Sequence, residues 1–517
     1  MKGLTGSYKT IADSPKTWQE NIVPNNTYKI AFVDPPWPGY GHRTQRWPHK
    51  NLHGDINPPP LFQMIAAAAA RQDGIEVELW DSPAERLSEM MILSILAKYS
   101  PALVVVNTST PSFDHDLHFI HELRKAGYTR KILVVGPHVT VFYRELLELD
   151  PAIDWVGLAE YDFLPRDLCR NNLNPKDLAG VAFRAEDESI VSRTAEPITD
   201  LNFLPWPDYS LINPFNYNEF LFPFRKRPVA TLMTSRGCPY RCSFCLYPQV
   251  MFGQKLRVRS ITNVIAEIQH LIEQFGIRFF YFEDDTFTAD WKRVQHFCSA
   301  LQEHNLKITW ACLGRVEGVT EARLQLMKRA GCYLIKYGVE TAEEQQLKSM
   351  GKNLSGAEIE AAFRITREAG MYTHATIMFG WPGDTKQTIE HTHRLLRTIR
   401  PDYVQFSICT PFPGTEFFAL CEKQDWLRYD RWEDFDGAWG GVIETNSLTR
   451  HDVRSAVKSG YKRYYLTWVY LFRRLNRSLF GPDIISQWFH NIDLLLRFLR
   501  RYGPFKHDYS VISAHPY

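Results

Sequence analysis

The strongest constraint on the fold is an alternation of short apolar runs with amphipathic helical segments, repeated in two series. In the first series, strand-like runs at 30–33, 75–79, 103–106, 132–135 and 155–158 are separated by helical segments near 61–71, 89–98, 116–125 and 143–149. Such alternation predicts βαβ units and a parallel sheet covered on both faces. Ligands of these sheets bind beyond the carboxyl ends of the strands, so loops 34–40, 107–112, 136–140 and 159–162 are the expected binding loops. A short hairpin is expected over 178–193, then a connector rich in Pro, Asn and aromatic residues over 197–228. The second series places strands at 229–234, 279–282, 308–311, 333–337, 373–379 and 403–408. Six strand–helix repeats predict a partial (β/α)6 barrel, with active groups at the carboxyl ends of its strands. The expected units are a tail (1–27), an α/β domain (28–170), a linker carrying the hairpin (171–228), the barrel (229–426) and a helical domain (427–517).

Composition adds exclusions. Sixty Lys plus Arg against 58 Asp plus Glu leave a net charge of +2, which offers no electrostatic case for a nucleic-acid partner. The N-terminus lacks the apolar segment of a secretory signal, and no run approaches the ~18 apolar residues of a membrane span, so a cytoplasmic location is expected. The near-neutral total conceals a basic end: residues 451–517 hold 11 Lys/Arg and 4 Asp/Glu.

The nine cysteines are odd in number and scattered, unlike a secreted disulfide framework. Three of them, Cys238, Cys242 and Cys245, fall in S-R-G-C-P-Y-R-C-S-F-C, directly after the first strand of the second series. Three thiolates on one loop can hold three irons of a [4Fe–4S] cluster and leave the fourth open to a small molecule. A zinc site would want a fourth ligand at compatible spacing, and none is visible. The remaining cysteines are expected to be packing residues.

This C-x3-C-x2-C loop, with Phe244 before its last cysteine, resembles the signature of radical S-adenosylmethionine enzymes. The resemblance covers about 229–426. It implies S-adenosylmethionine chelated on the open iron and cleaved to a 5′-deoxyadenosyl radical. On the same resemblance, Glu283, Asp284 and Asp285 face the methionine amino group, and Arg315 pairs with a carboxylate or lies near the ribose. Glu340 of Y-G-V-E-T accepts from ribose hydroxyls, and Gly380 opens a G-x-P-G-[DE]-[ST] turn near the ligand. In the first series, V-V-V-N-T-S-T (104–110) resembles the hydroxyl-rich loop of cobalamin-binding domains, V-G-P-H-V-T (135–140) their G-G-P-H-x-T turn, and 157–160 a G-x-x-E segment. A Rossmann-like cobalamin-binding domain is implied. Asn107, Thr108, Ser109, Thr110, Gly136, Pro137, His138 and Glu160 would surround the cofactor, and Trp37, with Tyr40 and Trp47, would cover a corrin face. Val135 stands where the family has its first glycine and is expected to crowd a threaded nucleotide tail. No D-x-H-x-x-G motif marks a lower cobalt ligand.

The leading expectation is a cobalamin-dependent radical enzyme that methylates an unactivated carbon of a small-molecule biosynthetic intermediate, through a 5′-deoxyadenosyl radical and methylcobalamin. The alternative with the same cofactors is oxidative ring formation, as in anaerobic porphyrin-type cyclases. A tRNA methylthiotransferase would need three further cluster cysteines before the barrel, where only Cys169 precedes Cys238; a non-enzymatic iron–sulfur or cobalamin sensor is a further class. The expected partners are a small-molecule substrate and an electron donor such as flavodoxin or ferredoxin, with no nucleic acid. Residues 432–439 (WEDFDGAW) are expected to help close the cavity. Residues 461–477 mix aromatic and basic side chains at helical spacing, which suits core packing or a peripheral membrane contact, the latter fitting an apolar substrate.

Overall fold

The computed structural model describes residues 28–37, 41–42, 49–50, 58–217, 228–438 and 440–479, so Tyr40, Trp47, Trp439 and everything beyond 479 lie outside the described residues. The first series forms one sheet from β1 (Lys29–Asp34), β2 (Glu76–Asp81), β3 (Leu103–Asn107), β4 (Lys131–Val135), β5 (Trp155–Gly157), β6 (Val181–Arg184) and β7 (Ile190–Arg193). Its spatial order is β2-β1-β3-β4-β5-β6-β7, parallel through β5. Runs such as Leu103-Val104-Val105-Val106 are buried throughout, as a strand covered on both faces requires. The hairpin expected in the linker instead extends this sheet: β6 pairs antiparallel with β5, placing Phe183 opposite Trp155. It thereby covers an edge that β5 would otherwise expose.

Helix α1 (Leu61–Gln72) buries every residue from Leu61 to Ala70. Its run of five alanines lets it lie close against the sheet on one side and the second unit on the other. Phe62 meets Phe252 edge-on at 5.3 Å and Tyr247 at 6.1 Å, so one continuous core joins the two units.

The second unit is a half-barrel of six parallel strands in chain order: β8 (Val229–Leu232), β9 (Phe279–Phe282), β10 (Thr309–Gly314), β11 (Cys332–Glu340), β12 (Tyr372–Phe379) and β13 (Tyr403–Ile408). C-terminal helices α2 (Arg450–Tyr465) and α3 (Trp468–Leu479) lie against its last strand. There a row of tyrosines replaces a seventh strand. Tyr465 Oη accepts from the Val404 N–H at 2.7 Å and donates to the Val404 carbonyl at 2.9 Å. Tyr461 Oη repeats the pattern at Phe406, at 3.3 and 3.2 Å, and Tyr470 donates to the Asp402 carbonyl at 3.2 Å. Successive outward-facing backbone pairs of an edge strand recur every second residue, and 404 and 406 are that set. These tyrosines therefore pack on the barrel, while Trp468, Val469 and Phe472 of α3 are exposed. Among the described residues no helix is long and apolar enough to cross a membrane.

Candidate active site

The cluster loop leaves the carboxyl end of β8 and is shaped from the neighbouring strand end. Asp284 is fully buried; its oxygens accept from the Thr234 N–H and hydroxyl, both at 2.6 Å, and from the Ser235 N–H at 3.1 Å. Asp285 accepts from the Gly237 N–H at 2.9 Å. Asp284, expected at the methionine amino group, thus holds the loop's base, while Glu283 and Asp285 on either side of it are half-buried. Gly237 has φ +81°, and a Cβ there would overlap the Lys255 carbonyl, so the turn requires glycine. Gln249, which no motif marks, lies with its amide nitrogen 3.2, 3.1 and 2.9 Å from the carbonyls of Cys242, Ser243 and Cys245.

Cys238 is buried, with its Sγ 3.4 Å from the Thr286 hydroxyl, and burial pushes its thiol up; Cys242 and Cys245 are half-buried. Arg315 stacks over the Tyr240 ring at 3.9 Å, pairs with Glu317 and brings Nη1 to 3.9 Å from Cys242 Sγ. No three described His, Cys, Asp or Glu side chains converge as ligands of a single ion. Three thiols spread along one backbone-pinned loop suit the separate corners of a cluster.

Across from the loop, β11 is irregular between Gly338 and Glu340, and Glu340 adopts φ +64°, a conformation rare for a residue with a side chain. Its carboxylate accepts from Lys352 Nζ at 2.6 Å and from the Thr376 hydroxyl at 3.4 Å. Phe244 lies edge-on to Trp381 at 6.2 Å, and Trp381 stacks on Phe417 at 4.4 Å. Gly380 has φ +98°; its N–H donates to Asp384 at 2.8 Å, and Val453 of α2 packs on it. The expected turn is therefore present, and it also seats the C-terminal helix.

In the first sheet the order 2-1-3-4-5 reverses direction between β1 and β3, and ligands of such sheets enter at that switch point. Asp34 and Asn107 end those two strands and are joined at 3.0 Å. Thr108, Ser109 and Thr110 are buried beside them, and Gly136 (φ +125°) lies so close that a Cβ would overlap the Thr108 carbonyl. Two buried polar atoms near this end have no hydrogen-bond partner: Gln63 Oε1, whose amide donates to the Val33 carbonyl at 3.4 Å, and Tyr161 Oη. A corrinoid, rimmed with amide groups, suits such atoms. Val135 lies in the hydrophobic core with its side chain against Gly157. Trp37 is buried at the end of the β1 loop.

His138 is enclosed by Phe113 (4.3 Å), Trp432 (4.6 Å) and Phe142 (5.0 Å), with Thr110 Oγ1 3.3 Å from Nδ1. Burial pushes its pKa down to about 3, so the ring is neutral. Trp432 comes from the segment expected to close the cavity, and its N–H donates to Asp114 at 3.1 Å. Pro137 begins the short helix that carries His138.

Glu160 lies with Asp162 at the junction of the two units. Arg236, two residues before Cys238, makes paired bonds to Asp162 at 2.6 and 2.7 Å and reaches Glu160 at 3.2 Å. Arg257 also pairs with Glu160. Burial opposes the charge on Arg236, and Asp162 followed by Glu160 outweighs it, so the guanidinium stays ionised. Glu160, expected at cobalamin, has its carboxylate engaged by two arginines; the partners lie 76 and 97 positions away, which no local motif could reveal.

Comparison with known proteins agrees with this geometry. Residues 232–396 match the Radical SAM superfamily, and residues 51–163 match the B12 binding domain. The chain is a B12-binding radical S-adenosylmethionine enzyme. More narrowly, it is related to the class B radical methyltransferases and to the cyclases, and its cofactors are a [4Fe–4S] cluster, S-adenosylmethionine and cobalamin. It is 28% identical over 413 residues to an uncharacterised methyltransferase of Pyrococcus horikoshii, covering 79% of this chain and 88% of the relative. It is 27% identical over 420 residues to the anaerobic magnesium-protoporphyrin IX monomethyl ester cyclase of Cereibacter sphaeroides, covering 79% and 67%. Its fold resembles that of the radical methyltransferase TsrM from Kitasatospora setae, solved with cobalamin and a [4Fe–4S] cluster, at TM-score 0.62 and 18% identity over 78% and 76% of the two chains.

Proposed function

We propose that the enzyme transfers a methyl group to an unactivated carbon of a small-molecule biosynthetic intermediate. The observation that carries this is the Arg236 clamp, which ties the strand-end loop of the first sheet to the segment entering the cluster loop. In this reading both ligand-binding ends open toward shared space, as a carbon taking a methyl group at the site of its own radical requires. When bound, the cluster with S-adenosylmethionine supplies a hydrogen-abstracting radical, and cobalamin carries the methyl group. In this reading Cys238, Cys242 and Cys245 hold the cluster, while Glu283, Arg315, Glu340 and Phe244 line the S-adenosylmethionine side. Asn107 through Thr110, Gly136, Pro137, His138 and Trp37 shape the corrinoid end. The buried aromatic cap over His138 limits water around a reactive species. Flavodoxin or ferredoxin is the class of reductant that such a cluster requires.

The similarity to a relative described as a methyltransferase over 88% of its length supports methyl transfer, and the cyclase relative keeps ring formation as the second reading. Anaerobic protein loaded with cluster and cobalamin, given a chemical reductant and S-adenosylmethionine, should release both 5′-deoxyadenosine and S-adenosylhomocysteine. The second product marks methyl donation. Its absence from protein that retains corrinoid and still makes 5′-deoxyadenosine overturns methyl transfer and leaves the cyclase reading.

A further inference from the structure

Lys352 lies outside every motif, yet it sits where three parts of the site meet. It follows the short helix Glu344–Ser349, whose final turn is laid onto the cluster loop. Ser243 N–H, between two cluster cysteines, donates to the Met350 carbonyl at 3.0 Å. Gly351 has φ +80°, and a Cβ there would overlap the Arg241 carbonyl, so only glycine lets this turn approach the loop. On its other side the Ser349 hydroxyl accepts from Trp381 Nε1 at 2.8 Å. From this anchored turn Lys352 reaches across to β11, where Nζ donates to Glu340 Oε1 at 2.6 Å and to the Gly338 carbonyl at 3.1 Å. The pair is almost fully enclosed, with side chains 7% and 10% exposed.

The glycine of Y-G-V-E gains a reason from the same geometry. A Cβ on Gly338 would stand 2.6 Å from Glu340 Oε1 and 2.7 Å from Lys352 Nζ, inside the ion pair. Gly338 is thus the floor on which the pair rests, and it has no positive φ to explain it otherwise.

We infer that Lys352 is a positioning residue for S-adenosylmethionine. Its ammonium grips one oxygen of Glu340 and leaves the other, met only by the long Thr376 contact, aimed at the ribose hydroxyls. Because the Lys352 turn is bonded to the cluster loop, it also sets how far the ribose end of the ligand lies from the methionine end at the cluster. A buried carboxylate with one oxygen held by a cation is oriented as well as charged, and orientation is what a two-point ligand demands. This rests on the reading of Glu340 as the ribose acceptor.

The test compares anaerobic binding of S-adenosylmethionine and of an analogue lacking both ribose hydroxyls to cluster-loaded protein. Wild type should prefer the natural ligand by about tenfold, the scale of one hydrogen bond to a charged group. Glu340→Gln and Lys352→Met should both erase that preference at unchanged iron content and visible spectrum, and Lys352→Arg should keep most of it. Gly338→Ala, which retains both charges but displaces the pair, should lose it too, and this variant decides the matter if Lys352→Met does not load its cluster. Preference lost in Glu340→Gln but kept in Lys352→Met and Gly338→Ala overturns the role of Lys352 and leaves Glu340 as the ribose acceptor. No preference in wild type, or one that survives Glu340→Gln, overturns both.

Discussion

His138 shows how burial converts a motif residue into a stability determinant. Its pKa falls from 6.5 to about 3 because three aromatic rings surround it and the charged form has no counter-charge in that cage. A depressed value favours the neutral ring in the folded state. Its contribution is complete above pH 6.5 and is lost as pH falls toward 3, because the unfolded chain binds the proton first. At pH 5 the loss is about 2 kcal/mol. His138→Phe should therefore flatten the fall in urea-unfolding free energy between pH 7 and 5 by about that amount; a slope unchanged from wild type contradicts the neutral-ring account. The cluster cysteines were legible in the sequence because their chemistry is written within eight residues of chain. Lys352 was not, since its partner lies 12 positions away and its meaning depends on a turn laid over another loop.

At the level of elements, the strands were readable from apolar periodicity, but their neighbours were less so. Local sequence identifies the hairpin's two strands and turn, but not the edge of β5 to which they dock. Helix α2 was recognisable as aromatic and basic, yet the use of its tyrosines depends on their spacing against an edge that exists only once the barrel is built. Tyr465→Phe removes the hydroxyl that serves both backbone groups of Val404 and should destabilise by about 1–3 kcal/mol, the cost of leaving buried polar groups unmade. Tyr465 is 2% exposed, so water cannot readily substitute. A denaturation midpoint equal to that of wild type would show that the edge is satisfied some other way.

Large apolar surfaces join the parts of the molecule, and the buried polar links set among them are measurable one by one. Arg236 is 1% exposed and carries two carboxylates from the first unit. Arg236→Met would leave Asp162 without its paired donor in a buried setting, at a cost of about 3–5 kcal/mol. The expected signature is a lowered denaturation midpoint, with the two units unfolding in separate steps; a single unshifted transition counts against the clamp. The division into a corrinoid-type sheet, a radical barrel and a helical end was readable from pattern and motif. The contacts that join them were not, because each is made by residues from different units.

The cap over His138 has a consequence in time. Trp432 and Glu433 bond to Asp114 and His115 across 318 positions of chain. At the ~5–20 residues per second of synthesis, about 15–60 s pass between the emergence of the first sheet's loops and the arrival of the residues that cover them. During that interval the His138 side of the first sheet lacks the Trp432 ring and the Glu433 contact that complete its cap. Once residue 433 has left the ribosome and the cap has formed, exposing His138 again requires that aromatic cluster to come apart.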